Sequence, residues 1–131
     1  MTIEELYEDI YSRLSESEEL SALIGEGKIF DYTPYSDDEK GPYVVIGDTN
    51  EVEGRLLDDE ERKVFVRLHV WSSAEGRKET ITISRAVEKI LSQDVNTYIF
   101  ESVQILHDDE QWIHGILTFR TYIEKGLKDN G

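Results

Sequence analysis

The chain has no cysteine. That excludes disulfides and thiolate metal sites, and it gives no support to a secreted origin. Proline is scarce: Pro34 and Pro42 are the only two, and both lie in one segment. No apolar run approaches the roughly 20 residues that a membrane helix needs, and the opening MTIEELYEDI is acidic and amphipathic, unlike a signal sequence. Basic residues are few: 14 Lys and Arg stand against 29 Asp and Glu, for a net charge of -15. Such a surface repels nucleic-acid phosphates and anionic membranes, so neither is an expected direct partner. The expected compartment is the cytoplasm, or an assembly built there.

What is present fits one domain spanning 1–131, long enough to bury a core without staples. Thr2-Ile3-Glu4-Glu5 has the pattern of a capping box. Behind it Ile3, Leu6, Tyr7, Ile10 and Leu14 recur at helical spacing. Ser15 to Glu19 interrupts that helix, and Leu20, Leu23 and Ile24 form a short second one closed by Gly25. KIFDY and YVVIGDT read as strands, separated and followed by long charged loops at about 33–42 and 51–63.

KVFVRLHVWS, Lys63 to Ser72, reads as a long strand. Val64, Val66, Leu68 and Val70 alternate with Phe65, Arg67, His69 and Trp71, so the first set faces a dry core and the second something wetter. SSAEGR turns the chain, with Ser72 or Ser73 as the expected cap. The next helix places Ile83, Ala86, Val87, Ile90 and Leu91 on one stripe. YIFESVQIL and WIHGILTFRTYIE read as strands joined by a turn at HDDEQ, which carries Asp108 and Asp109. The last strand repeats the partition: Ile113, Leu117, Phe119 and Ile123 on one face, and Trp112, His114, Ile116, Arg120 and Tyr122 on the other.

This order argues an α+β fold, a mostly antiparallel sheet with helices on its aliphatic face. Val66, Leu68, Val87, Ile90, Leu117 and Phe119 are expected to be buried together. The opposite face, with Arg67, His69, Trp71, Trp112, His114, Arg120 and Tyr122, is the candidate partner surface, because buried interfaces favour aromatic residues and Arg. Patterning leaves a second reading open, in which Arg stems simply lie over aromatic rings on a solvated face.

Catalytic groups do not assemble in the sequence. His69, His107 and His114 lack the i, i+4 spacing of a helical zinc pair, and the convergence of His69 and His114 across a sheet, with Asp108 and Asp109 adding carboxylates, is a weak signal for a metal. Asp37-Asp38-Glu39 lacks the alternating ligands of a calcium loop. No glycine-rich stretch leads through a lysine into a helix as a phosphate loop does, and no serine sits in a nucleophile elbow. The sequence therefore points to no metal, no cofactor and no enzyme.

IEELYEDIYSRLSESEELSALIGEGKIFDYTP, GPYVVIGDT, VRLHVWSSAEGRKETITISRAVEKIL and HGILTFRTYIE, in this order and spacing, resemble the tail-completion proteins of long-tailed bacteriophages and prophages, also called tail terminators or tail-to-head joining proteins. The resemblance covers most of the chain. It implies a non-enzymatic protein that forms a ring, usually a hexamer, on the finished tail tube, stops tube growth and meets the head connector. Its partners would be further copies of itself, the tail tube protein and the head connector protein. Its location would be the host bacterial cytoplasm before assembly and the head–tail junction of the virion afterwards. GRLL, Gly54 to Leu57, sets Arg55, Leu56 and Leu57 in a polar loop, as a docking contact with the tube or as a fold-back onto the chain's own strands. A head-side connector adaptor, and a small ligand-binding or enzymatic domain using the His and Arg face, remain alternatives.

Overall fold

The computed structural model describes residues 1–32, 41–53, 61–107 and 112–124. Arg55, Leu56 and Leu57, the turn at Asp108 and Asp109, and Pro34 lie outside them. Three helices and five strands follow one another as α1 (Ile3–Ser15), α2 (Glu18–Ile24), β1 (Ile29–Phe30), β2 (Tyr43–Glu53), β3 (Glu61–Ser72), α3 (Lys78–Ser92), β4 (Ile99–His107) and β5 (Ile113–Glu124). The sheet order is β1-β2-β3-β5-β4. β1 runs parallel to β2, and every other pairing is antiparallel. This is the α+β architecture expected from the element order.

Local chemistry starts each helix. The Thr2 hydroxyl accepts from the Glu5 amide at 3.1 Å and the Glu5 carboxylate accepts from the Thr2 amide at 2.8 Å, a complete capping box. Ser17 caps α2 by accepting from the Leu20 amide at 3.1 Å, and Gly25 ends it at φ 91°. α3 departs from expectation. Neither Ser72 nor Ser73 caps it: Arg77 holds the N-cap position and makes no side-chain cap bond. Gly76, at φ 78°, has turned the chain first. The Ser72 hydroxyl serves the turn, accepting from the Ala74 amide at 3.1 Å and donating to the Glu79 carboxylate at 2.6 Å. Only a helix that began directly at the strand end could use Ser72 as its cap.

The helices cover one sheet face. Leu6, Ile10 and Leu14 of α1, Leu20 and Ile24 of α2, and Ile83, Val87, Ile90 and Leu91 of α3 share one core with Val64, Val66, Leu68, Val70, Leu117 and Phe119. The six residues expected to be buried together are all in it. α3 lies close to β5 because the contact is made of small groups. A Cβ on Gly115 would stand 2.7 Å from Ser84 Oγ and 3.1 Å from Thr80 Cγ2. Tyr98 ties the far end of the helical layer together: its hydroxyl donates to Asp9 at 2.6 Å, and Arg13 binds Asp9 at 2.7 Å and Asp94 at 3.0 Å. The connection after β2 is shorter than the 51–63 expected, because β2 extends to Glu53 and β3 begins at Glu61.

Candidate interaction surface

The strand register builds the other sheet face in rows. Tyr43, Trp71, His114 and Leu106 lie side by side across β2, β3, β5 and β4. Val45, His69, Ile116 and Gln104 form the next row, followed by Arg67, Thr118 and Ser102, then by Asn50, Phe65, Arg120 and Ile99, and last by Val52, Lys63 and Tyr122. Arg67, His69, Trp71, His114, Arg120 and Tyr122 thus share one face, as a period of two requires. Trp112, just before β5, packs edge-on against Trp71 and Tyr43, with ring centroids at 6.1 and 5.8 Å.

The face is drier at one end than sequence patterning implied. Trp71 stacks on His114 with centroids at 3.8 Å, and His114 is buried, as is Tyr43. His69 Nδ1 lies 2.7 Å from His114 Nε2. Only one proton fits between two ring nitrogens at that distance, so one ring donates and the other accepts. On its far side, His69 Nε2 stands 3.9 Å from Asp48 Oδ1, and Asp48 in turn accepts from Arg67 Nη1 at 2.8 Å. Burial lowers the His69 pKa below its ordinary value; Asp48 opposes the shift and Arg67 adds to it. Burial thus favours the neutral ring.

β2 makes room for this arrangement. Its register against β3 slips between Ile46 and Thr49, which puts Gly47 beside His69. A Cβ on Gly47 would stand 2.6 Å from His69 Cδ2 and 2.8 Å from the Arg67 carbonyl oxygen. The Tyr7 hydroxyl reaches from α1 to donate to the Gly47 carbonyl at 2.6 Å. Asp48 projects from the same irregularity and supplies the carboxylate.

Both candidate arginines have partners in their own chain. Arg67 binds Asp48, and Arg120 Nε lies 2.9 Å from Glu101 Oε2. The first pair is more than half exposed and open to exchange with an incoming group. Sequence reasoning did not find Tyr43, Gly47, Asp48, Gln104 and Leu106. Tyr43 and Val45 alternate with Val44 and Ile46, so a period of two would have found those two. Asp48 reaches the face only through the register slip, which no periodicity reports. Among the described residues, no three His, Cys, Asp or Glu side chains come together as metal ligands, and no helix is long and apolar enough to cross a membrane.

The fold is shared with solved structures, of which fifteen chains match. One, from the virion of a native gene transfer agent particle, superposes with a TM-score of 0.67 over 88% of this chain and 92% of that one, at 17% sequence identity. At that identity the likeness defines the class of fold. No curated protein sequence matches. The family described as Tail completion protein gp17 matches residues 8–124, and the chain belongs to that family. Its role is accordingly that of a structural protein of the bacteriophage tail.

Proposed function

We propose that this protein closes the finished tail tube as a non-enzymatic ring, a hexamer, and joins the tail to the head connector. The observation that carries the reading is family membership over residues 8–124. The geometry supports it. Among the described residues no helix covers the other sheet face, and that face presents Trp71, Trp112, Arg67, His69, Arg120 and Tyr122 around the buried His114, residue types suited to being buried against another protein. In this reading the face meets the tail tube protein or the head connector protein, and Arg55, Leu56 and Leu57 add a docking contact. The chain waits in the host bacterial cytoplasm and ends at the head–tail junction. No cofactor takes part.

The test is electron microscopy of particles assembled without this gene. Tails of abnormal length that carry no heads are the expected product. Tails of normal length joined to heads would refute the proposal. Filled heads with finished but unattached tails would assign the chain to joining alone. Trp71→Ala and Arg67→Ala in the complementing copy should reduce joined particles while the purified protein keeps its circular dichroism spectrum.

A further inference from the structure

β4 is the outermost strand of the sheet, and its free side meets no other strand among the described residues. Natural edge strands are guarded against pairing by short length, proline, charged side chains, β-bulges or a covering helix or loop. The opposite edge is guarded in the first way, since β1 has two residues. β4 has nine residues and no proline or lysine, and its one acid and its bulge both lie at one end, between Phe100 and Ser102. Ser102 to His107 carries no acid, lysine or arginine, in a chain of which 33% of residues are charged. The one carboxylate on the strand, Glu101, sits at the register slip between Phe100 and Ser102 and is drawn across the outer face to Arg120 at 2.9 Å. What remains, among the described residues, is an edge whose outer backbone groups meet no other strand, flanked by Val103, Ile105 and Leu106, all half-buried.

We infer that β4 is a docking edge for a second copy of this chain, strand against strand. An open ladder of this kind is completed by an extended segment, because only that spacing matches its donors and acceptors. Among the described strands only β1 and β4 have a free side, and β1 is too short to complete nine residues, which leaves β4 of another molecule. Charge points the same way. Two copies at -15 repel over most of their surfaces, and along Ser102 to Leu106 they meet without carboxylates. The pairing is antiparallel about a two-fold axis, the isologous arrangement. Centred on Gln104, it sets Val103 of each copy against Ile105 of the other, Ser102 against Leu106, and Glu101 against His107. The two Trp, His and Arg faces then form one continuous surface on a ten-stranded sheet. A two-fold contact closes on itself and cannot by itself generate a cyclic ring, so this dimer is a form held off the tail. It does not depend on the proposed capping role.

The absence of cysteine makes the test clean, since any introduced pair is unambiguous. Gln104 and Ser102 are both exposed. In the proposed register Gln104→Cys faces its own mate at about 4.5–5.5 Å between Cα atoms, within disulfide range. Ser102→Cys lies about 14 Å from its mate, four residues along the strand at about 3.4 Å each. Mild oxidation at 0.5 M salt should turn Gln104→Cys into a covalent dimer and leave Ser102→Cys monomeric. Light scattering of the full chain at 200 µM in the same salt should give a dimer mass, and Gln104→Lys should return it to monomer with an unchanged melting temperature. A wild-type monomer under those conditions overturns the inference. So does equal cross-linking at the two positions, or a dimer that survives Gln104→Lys. A defect in tail length or head joining bears on the capping role and leaves these outcomes untouched.

Discussion

At the scale of single residues, Gly47 and His69 set the character of the outer face. Gly47→Ala places a methyl group 2.6 Å from the His69 ring and 2.8 Å from a backbone oxygen that cannot rotate away. We expect a loss of about 1–3 kcal/mol in chemical denaturation, as for other overpacked sites, with His69 displaced from His114. A variant as stable as wild type would mean that the register slip in β2 yields easily. His69 itself gives a pH dependence of definite sign. Its folded pKa lies below the ordinary value of 6.5, so the unfolded chain takes up the proton first. Its stabilising contribution is full above pH 6.5, falls as the pH drops below that value, and is gone once the pH passes the folded pKa. A second proton between His69 Nδ1 and His114 Nε2 would set two donors against each other at 2.7 Å. The melting temperature of wild type should therefore fall more between pH 7 and pH 5 than that of His69→Gln, which cannot titrate. Equal slopes would remove His69 from the account. The sequence displayed both histidines on one face, but it could not show that their nitrogens meet. That contact depends on the β3–β5 register and on the room left by Gly47, and neither leaves a periodic mark.

At the scale of elements, alternation and helical spacing specified most of the fold. β3 and β5 each separate an aliphatic from an amphipathic face, and both partitions appear in the structure because a slip of one residue would turn the whole core face outward. The strand ends were less legible: the charged residues of 51–53 and 61–63 read as loop, yet they continue the β2–β3 ladder. Charge argues for solvent, and the end of the sheet at Val52, Lys63 and Tyr122 is open enough to keep its charges hydrated while they sit in the ladder. The cap of α3 was misplaced for a similar reason, since a serine beside a helix start can bond elsewhere when the turn requires it. The α3–β5 seam makes a sharper prediction. Gly115→Ala meets Ser84 Oγ at 2.7 Å, and that hydroxyl is buried with no hydrogen-bond partner among the described residues. Ser84→Ala alone should be neutral or stabilising, because it removes an unsatisfied polar atom. Gly115→Ala alone should cost about 1–3 kcal/mol. The double variant should recover part of that loss, and a double-mutant cycle measures the coupling. Strict additivity would show that the clash lies with Thr80 or the backbone instead.

At the scale of the whole molecule, charge governs association. In the proposed ring, six copies at -15 would carry about -90 before counter-ions, a load that opposes closure and, in smaller measure, the proposed β4 dimer. Screening decides how far that repulsion reaches: the Debye length is about 30 Å at 0.01 M salt and about 8 Å at physiological salt. At the lower concentration the field of one copy spans any subunit contact, and at the higher one it fades within a side chain or two. Arg67 and Arg120 do little to offset it, because Asp48 and Glu101 already engage them within the chain. Drawing either arginine to a neighbour would release an acid at the same place, so a net gain needs a partner that brings its own cations or covers the aromatic end of the face. We therefore expect a monomer in dilute solution at 0.01 M salt, dimers as salt or divalent ions screen the acids, and rings only where another tail protein supplies complementary contacts. Such an order suits a tail cap, since a ring closed before the tube is finished would have nothing to seat on. Light scattering at micromolar protein across a salt series measures it directly. A stable ring of the isolated chain at 0.01 M salt, unchanged as salt rises, would show that contacts between copies outweigh the charge and that the tail is not needed to assemble them.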